Sequence, residues 1–432
     1  MISATPRSAA MCLRSAAFTL ALASAPAGLL AVEVPVDDVD GLHAAIQAAT
    51  PGDEIVLAAG TYDIAGNLVA ATAGLPTAPI VVRAVQSRGV LLRFSAPGSV
   101  VEGFRLLAPW WRIEGLDIEG ACTVDSDCEH AFHLAGNADH VVIRDNHVRD
   151  FNAQIKSNGS PEAAGYVFPD DVRVEHNVFN DTRARNTDHP VTKIDVVGGR
   201  RWVVRGNLIH DFEKGGGDTV SYAAFLKGNS RDGVFERNLV RCAWKTSGGV
   251  RLGLSLGGGG TSPDAICEDA SCTPEHQDGI LRNNIVMDCN DVGIYLNEAA
   301  NTRVQHNTLY DTSGIDVRFA ASSADLRNNV LSGAIRNRDG GSSTSAGDLT
   351  GVTPAQFAQW FVDPANADFH LLDGAAFVDQ GVAAPLVVDD FCGRVRNDGE
   401  PDVGALEYSP DAACATDVGG GMQDALFADG FD

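Results

Sequence analysis

Val204-Arg-Gly-Asn207-Leu-Ile is followed by Phe235-Glu-Arg-Asn238-Leu-Val, and the same phrase recurs at Ile143–Val148, Val174–Phe179, Leu281–Val286, Val304–Leu309 and Leu326–Leu331. The asparagines of the seven copies stand 31, 30, 31, 46, 23 and 22 residues apart. A period of 22–23 residues suits one coil of three short strands with their turns. The spacings of 30–31 then add a loop, and the interval of 46 holds a larger insertion, Gly257–Gln277. One residue held in phase at the same corner of successive coils stacks on its neighbours. Asparagine amides stacked in that way hydrogen-bond in a ladder along the axis, and buried amides require such partners. Runs such as Trp202-Val-Val, Ile294-Tyr-Leu and Ile315-Asp-Val supply the strands. An all-β parallel β-helix, a solenoid, is therefore expected.

The ends fit that architecture. Leu42, Ala45, Ile46 and Ala49 fall at helical spacing within Asp40–Ala49, and Pro51-Gly52 stops the helix. Such an N-terminal capping helix covers the otherwise open strand edges of the first coil. Before it, Arg7 and Arg14 precede an apolar, alanine-rich run from Ala16 to Ala31, the pattern of a secretory signal peptide over residues 1–31. Cleavage after Ala25 or after Ala31 are both open. The solenoid is assigned to 32–408 and a flexible tail to 409–432.

The chain carries a formal charge of −25, and −27 without the leader, whose only charges are Arg7 and Arg14. That balance argues against nucleic acid, where phosphate neutralisation supplies most of the affinity. No stretch is long enough to span a membrane, so a secreted, soluble monomer is expected. Any acidic substrate must meet a local cluster of cations. Eight of nine cysteines lie beyond the leader. Cys122/Cys128 and Cys267/Cys272 are spaced as small disulfide loops, and Cys242 and Cys289 follow equivalent repeat positions.

Aligning the coils gives a working face. Ile194/Val196, Ala224/Leu226, Val250/Leu252, Ile294/Leu296 and Ile315/Val317 are expected inside, so their neighbours point outward. One outward column then reads His133, Asp195, Phe225, Arg251, Tyr295, Asp316. The next reads Ala135, Val197, Lys227, Gly253, Asn297, Arg318. His133, Asp195, Asn297, Asp316 and Arg318 are candidate substrate-binding residues for an elongated polymer laid across these columns. Asp195 and Asp316 also form a candidate hydrolase carboxylate pair, which needs a separation of about 5–9.5 Å. Asp188-His189-Pro190 reads as a turn. His130 and His133 lack a third metal ligand. The metal is not assigned, although Glu268, Asp269, Glu275 and His276 in the insertion are candidates for calcium.

The phrase Gly52-Asp-Glu-Ile-Val-Leu…Gly60-Thr-Tyr62, with Pro79-Ile-Val-Val-Arg83, resembles the first coil of the pectate-lyase-like right-handed β-helix superfamily. Phe369–Leu372 and Asp402–Tyr408 resemble the segment that closes such helices. Ala224-Phe-Leu-Lys227 through Asn238, with Gly249-Val-Arg251, is similar to the chondroitinase B and alginate lyase family over about two coils. The resemblance implies a lysine and an arginine on adjacent coils that perform β-elimination on uronic-acid sugars, here Lys227 and Arg251. The family's His-Gly after the arginine is Leu252-Gly253 in this chain. The chemistry requires a base for the proton beside the carboxylate and cations for the enolate. Tyr295 is an alternative acid or base. The reading is thus a polysaccharide lyase acting on an acidic polysaccharide. A non-catalytic carbohydrate-binding β-helix and a glycoside hydrolase remain as alternatives.

Overall fold

The computed structural model describes residue 1 and residues 31–409 apart from 97, 163–164, 373–375 and 398, so nearly all of the expected signal peptide and of the expected tail lies outside the described residues. Three parallel sheets run the length of the molecule. The first has 12 strands, from Val32–Val36 to Ser342–Ala346. The second has 10, from Gly60–Ala65 to Val330–Leu331, and the third has 10, from Leu68–Ala70 to Ala334–Arg338. Each coil contributes one strand to each sheet in turn, which makes a right-handed parallel β-helix. Stacked interior columns form its core, for example Ile143, Val174, Val204, Phe235 and Leu281 in the first sheet and Val148, Phe179, Ile209, Val240 and Val286 in the second. Burying each such side chain is worth about 1.5–3 kcal/mol.

The recurring asparagines occupy the turn between the first and second sheets, all fully buried. Asn207 shows the pattern. Its Nδ2 donates to Asn238 Oδ1 at 3.0 Å and to the Val174 carbonyl at 2.9 Å, while its Oδ1 accepts from the Asn177 amide and backbone. The same rung repeats from Asn146 to Asn329. It ends on Asp348, which accepts from the Asn329 Nδ2 at 2.7 Å and from its backbone N–H. Asparagine is required along the ladder because it both donates and accepts, whereas the last rung only accepts. The residue before each ladder asparagine is left-handed: Asp145, His176, Gly206, Arg237, Asn283, His306 and Asn328 all have φ between 53° and 62°. This corner turns the chain from one sheet to the next.

The capping helix, Val39–Ala48, begins at Asp38, whose Oδ1 accepts the Gly41 N–H at 2.7 Å, and it buries Leu42 and Ile46 on the first coil. Disulfides join Cys122–Cys128, Cys267–Cys272 and, between coils, Cys242–Cys289. The C-terminal segment as far as Ser409 adds nothing to the interior cluster. It packs a second hydrophobic cluster on the outer surface of the second sheet, where Phe357, Phe361, Phe369, Phe377, Val403 and Leu406 cover Val178, Leu208, Leu239 and Ile285. The outward residue after the ladder asparagine changes to match. His147 stands there in an uncovered coil, and Val178, Leu208, Leu239 and Ile285 in the covered ones.

Among the described residues no helix is long and apolar enough to cross a membrane.

Candidate functional site

The outward surface of the third sheet carries most of the residues singled out above, with one change of register. Pairing runs Arg105, His133, Lys156, Asp195, Phe225, Ser255, Tyr295, Asp316, Arg336. In the adjacent column Val197 pairs with Lys227, and Asn297 with Arg318 and then Arg338. Ser255, not Arg251, follows Phe225. Leu254 and Leu256, not Val250 and Leu252, fill the interior.

Arg251 instead pairs with Ser221, four residues earlier on the strand. A bend separates these positions from the working face. Ladder pairing is interrupted between Tyr222↔Leu252 and Ala224↔Leu254, where the small residues Ala223 and Gly253 stand opposite each other. A Cβ on Gly253 would lie 2.2 Å from the Gly293 carbonyl oxygen, so the chains approach there as only glycine permits. An interruption of one residue exchanges the two faces of a strand. Arg251 is therefore 1% exposed. Its guanidinium donates to the carbonyls of Cys242 at 2.7 Å, Thr246 at 3.1 Å and Gly248 at 2.9 Å, and to Glu213 Oε2 at 2.6 Å. Lys227 lies six strand positions further along, about 20 Å at the rise of an extended chain. The expected pairing of Lys227 with Arg251 does not form.

Lys227 sits where the strand meets the insertion. Its Nζ donates to the Gly260 carbonyl at 2.8 Å and lies 4.7 Å from the centroid of the Phe225 ring. Burial pulls its pKa below the ordinary lysine value, Asp195 and Glu275 oppose that shift, and Lys156 adds to it. Lys156, which the coil alignment missed, donates to Asp195 Oδ1 at 2.8 Å. Tyr222 packs edge-on against Phe225 at 5.4 Å, and Leu252, Val292 and Tyr295 continue an apolar patch on the same surface. Burial raises the Tyr295 phenol while Arg318, donating to its oxygen at 3.2 Å, works the other way.

Loops border this surface on both sides. Before the strands, the disulfide loop around Asp125 is held to Arg183 at 2.6 Å and to the Asn186 N–H at 2.6 Å. After them, the insertion is fastened by Glu275, which accepts from the Gly228 N–H at 2.6 Å and from Thr261, and by Glu268 on Arg200.

Several expected site residues have structural partners. Asn297 donates to the Gly258 carbonyl at 2.7 Å, which ties down the glycine-rich start of the insertion. Asp316 is 1% exposed beneath Arg336 and Arg338. His133 faces Asn158 Oδ1 at 2.8 Å and Glu102 at 2.9 Å. His189 pairs with Glu129. Asp195 and Asp316 stand four rungs apart, about 19 Å at the strand spacing, too far for a hydrolase pair.

The residues considered for calcium do not fit one. Glu268 binds Arg200, Asp269 accepts from Ser271 and Cys272 in its own turn, Glu275 binds Thr261 and Gly228, and His276 bonds Ser230 in the interior. Among the described residues no three His, Cys, Asp or Glu side chains gather as a metal site.

A family model described as right handed beta helix region matches residues 116–331. No curated protein matches the chain. Among solved structures, pectate lyase Pel9A superposes with a TM-score of 0.60 at 16% identity, over 85% of this chain and 90% of that one. Alginate lyase from Paenibacillus sp. str. FPU-7 gives a TM-score of 0.41 at 16% identity, over 73% of this chain and 99% of that one. At such identity the first likeness is one of fold.

Proposed function

Because the chain belongs to the right-handed β-helix family, whose scaffold hosts many activities, we propose that it is a secreted polysaccharide lyase that cleaves a uronate-containing polymer on the outward surface of the third sheet. The observation that carries this reading is Lys227, an amine whose basicity burial has lowered, set on an aromatic ring in an otherwise cationic strip. In a chain of net charge −25, Arg105, Lys156, Lys227, Arg318, Arg336 and Arg338 on these columns outnumber Asp195 and Asp316. Tyr222, half-buried, offers a flat apolar surface to sugar rings, while Phe225 lies buried beneath Lys227 and Gly258.

In the proposed reaction neutral Lys227 takes the C5 proton of a uronate. The electron pair left at C5 becomes the C4=C5 double bond as the C4–O bond breaks, and the Lys227 ammonium returns its proton to the departing oxygen. Lys156 replaces Arg251 as the cation nearest the uronate carboxylate, where it stabilises the enolate that forms in between. Export suits the disulfides Cys122–Cys128, Cys242–Cys289 and Cys267–Cys272, since such bonds persist in oxidising compartments.

The test is incubation of the protein and its Lys227→Met variant with polygalacturonate, alginate and chondroitin. Ultraviolet absorbance from unsaturated uronate is expected with one polymer and is lost in the variant. Reducing ends without that absorbance would make the protein a hydrolase. Retained polymer with neither product would make it a binding protein.

A further inference from the structure

The last two rungs of the third sheet gather three arginines. Asp316, buried, accepts from Arg336 Nε at 2.5 Å and from Arg338 Nη1 at 2.6 Å. Arg318 donates to Asp339 Oδ2 at 2.6 Å and to the Tyr295 hydroxyl, and its guanidinium lies 4.6 Å from the centroid of the Phe319 ring. Three guanidiniums thus meet two carboxylates, so the group keeps a net positive charge. The guanidinium heads remain partly exposed while the carboxylate that orients two of them is covered. Each guanidinium has five N–H donors. Arg336 and Arg338 each commit one to Asp316, which leaves four on each for other acceptors.

We infer that Arg318, Arg336 and Arg338 form a second subsite, one that takes a carboxylate of the acidic polymer away from the bond to be cleaved. This rests on the proposed polyuronate substrate but not on the chemistry at Lys227. Arg318 is three rungs and Arg338 four rungs beyond Lys227, about 14 and 19 Å along the axis. A polymer lying along the columns reaches both places several sugars apart. The planar fork of arginine matches a carboxylate through two parallel hydrogen bonds. Buried Asp316 serves as the post that pre-sets two of these forks, so the cost of ordering them is met in folding. Arg318 is set by Tyr295 and Asp339, which links this subsite to the aromatic patch.

The test measures equilibrium binding of polygalacturonate and alginate, and of their carboxyl-reduced neutral forms, to Lys227→Met protein, which holds polymer without cleaving it. Arg318→Gln leaves no buried carboxylate unpaired and therefore keeps the fold. It should weaken binding of the preferred polyuronate about tenfold, the effect of losing one charge-assisted contact, and leave the carboxyl-reduced form unaffected. Arg338→Gln combined with Asp316→Asn should do the same while sparing the melting temperature. The inference is overturned if both variants bind the polyuronate as tightly as their parent, or if they lose the neutral polymer equally. Were no unsaturated product found with any polymer, the lyase reading would fail while a selective loss of polyuronate binding still upheld the subsite.

Discussion

Lys156 Nζ lies 2.8 Å from the Asp195 carboxylate, on the two rungs immediately before the strand that carries Lys227. The pair acts on the Lys227 amine with opposite signs, since the Asp195 anion favours the ammonium and the Lys156 cation disfavours it. A base works only in its neutral form, so turnover falls as pH drops through its pKa. Asp195→Asn should move the acidic limb of the rate profile to lower pH, and Lys156→Gln should move it to higher pH. Unshifted limbs in both variants would separate this pair from the titrating group.

Lys227 and Arg251 should now behave differently. Lys227→Met keeps a stem against Phe225 and should reduce turnover by a factor of about 10²–10⁴ with little change in melting. Arg251→Ala strips a buried hub from three carbonyls and leaves the Glu213 carboxylate without its cation. Breaking such a pair costs about 3–5 kcal/mol, so denaturant titration should show a large loss. Full stability with abolished turnover in Arg251→Ala would return it to the chemistry.

The asparagine ladder should be intolerant in its middle and tolerant at its end. Asn207→Ala or Asn207→Asp removes donors that Asn238 and Val174 require, at about 1–3 kcal/mol for each group left unpaired. Asp348→Asn should cost much less. Burial raises the pKa of that carboxyl, and an amide keeps an acceptor for Asn329 without a buried charge. Melting curves of the three variants decide it.

Asp211 should contribute to acid sensitivity. Burial by itself would raise its pKa, but His210 and the backbone N–H groups of Thr246 and Lys245 outweigh that and hold it at about 2. A carboxyl whose folded pKa is depressed adds stability above its unfolded value, and that stability is lost as pH falls through the folded value. Its share, about 2 kcal/mol, should be complete above pH of about 4 and gone near pH 2. The stability gap between the protein and Asp211→Asn should narrow over that window; a gap constant from pH 7 to pH 2 would contradict the assignment.

The repeating corner was legible in the sequence because one environment recurs in every coil. Asn207 and its counterparts need two donors and two acceptors in the same place. The residue before them is mostly Asp, His, Asn or Gly, types that tolerate a left-handed backbone. The working face was less legible. Val250-Arg-Leu-Gly-Leu-Ser-Leu256 alternates throughout, so sliding it by four residues leaves the pattern unchanged. Only the small pair Ala223 and Gly253 marks the bend that set the register. Lys156 was missed because its coil turns Ser157 inward, between apolar Leu134 and Val196, which breaks the alternation that identified the other strands. The C-terminal packing left a trace in the apolar residues after the ladder asparagines, but a strand with both faces apolar does not reveal what covers it.

That covering has a bearing on how the molecule comes apart. A solenoid whose coils touch only their neighbours melts by fraying, each end unzipping independently of the middle. Here the chain doubles back: Arg237 pairs with Asp389 and Arg396 bonds Asn283, tying central coils to residues more than 100 positions away in sequence. The last coils cannot peel away without exposing the phenylalanine cluster of the returning strap. Unfolding of the coils from Val178 onward should therefore be a single concerted event, and refolding should wait on a late, long-range docking step.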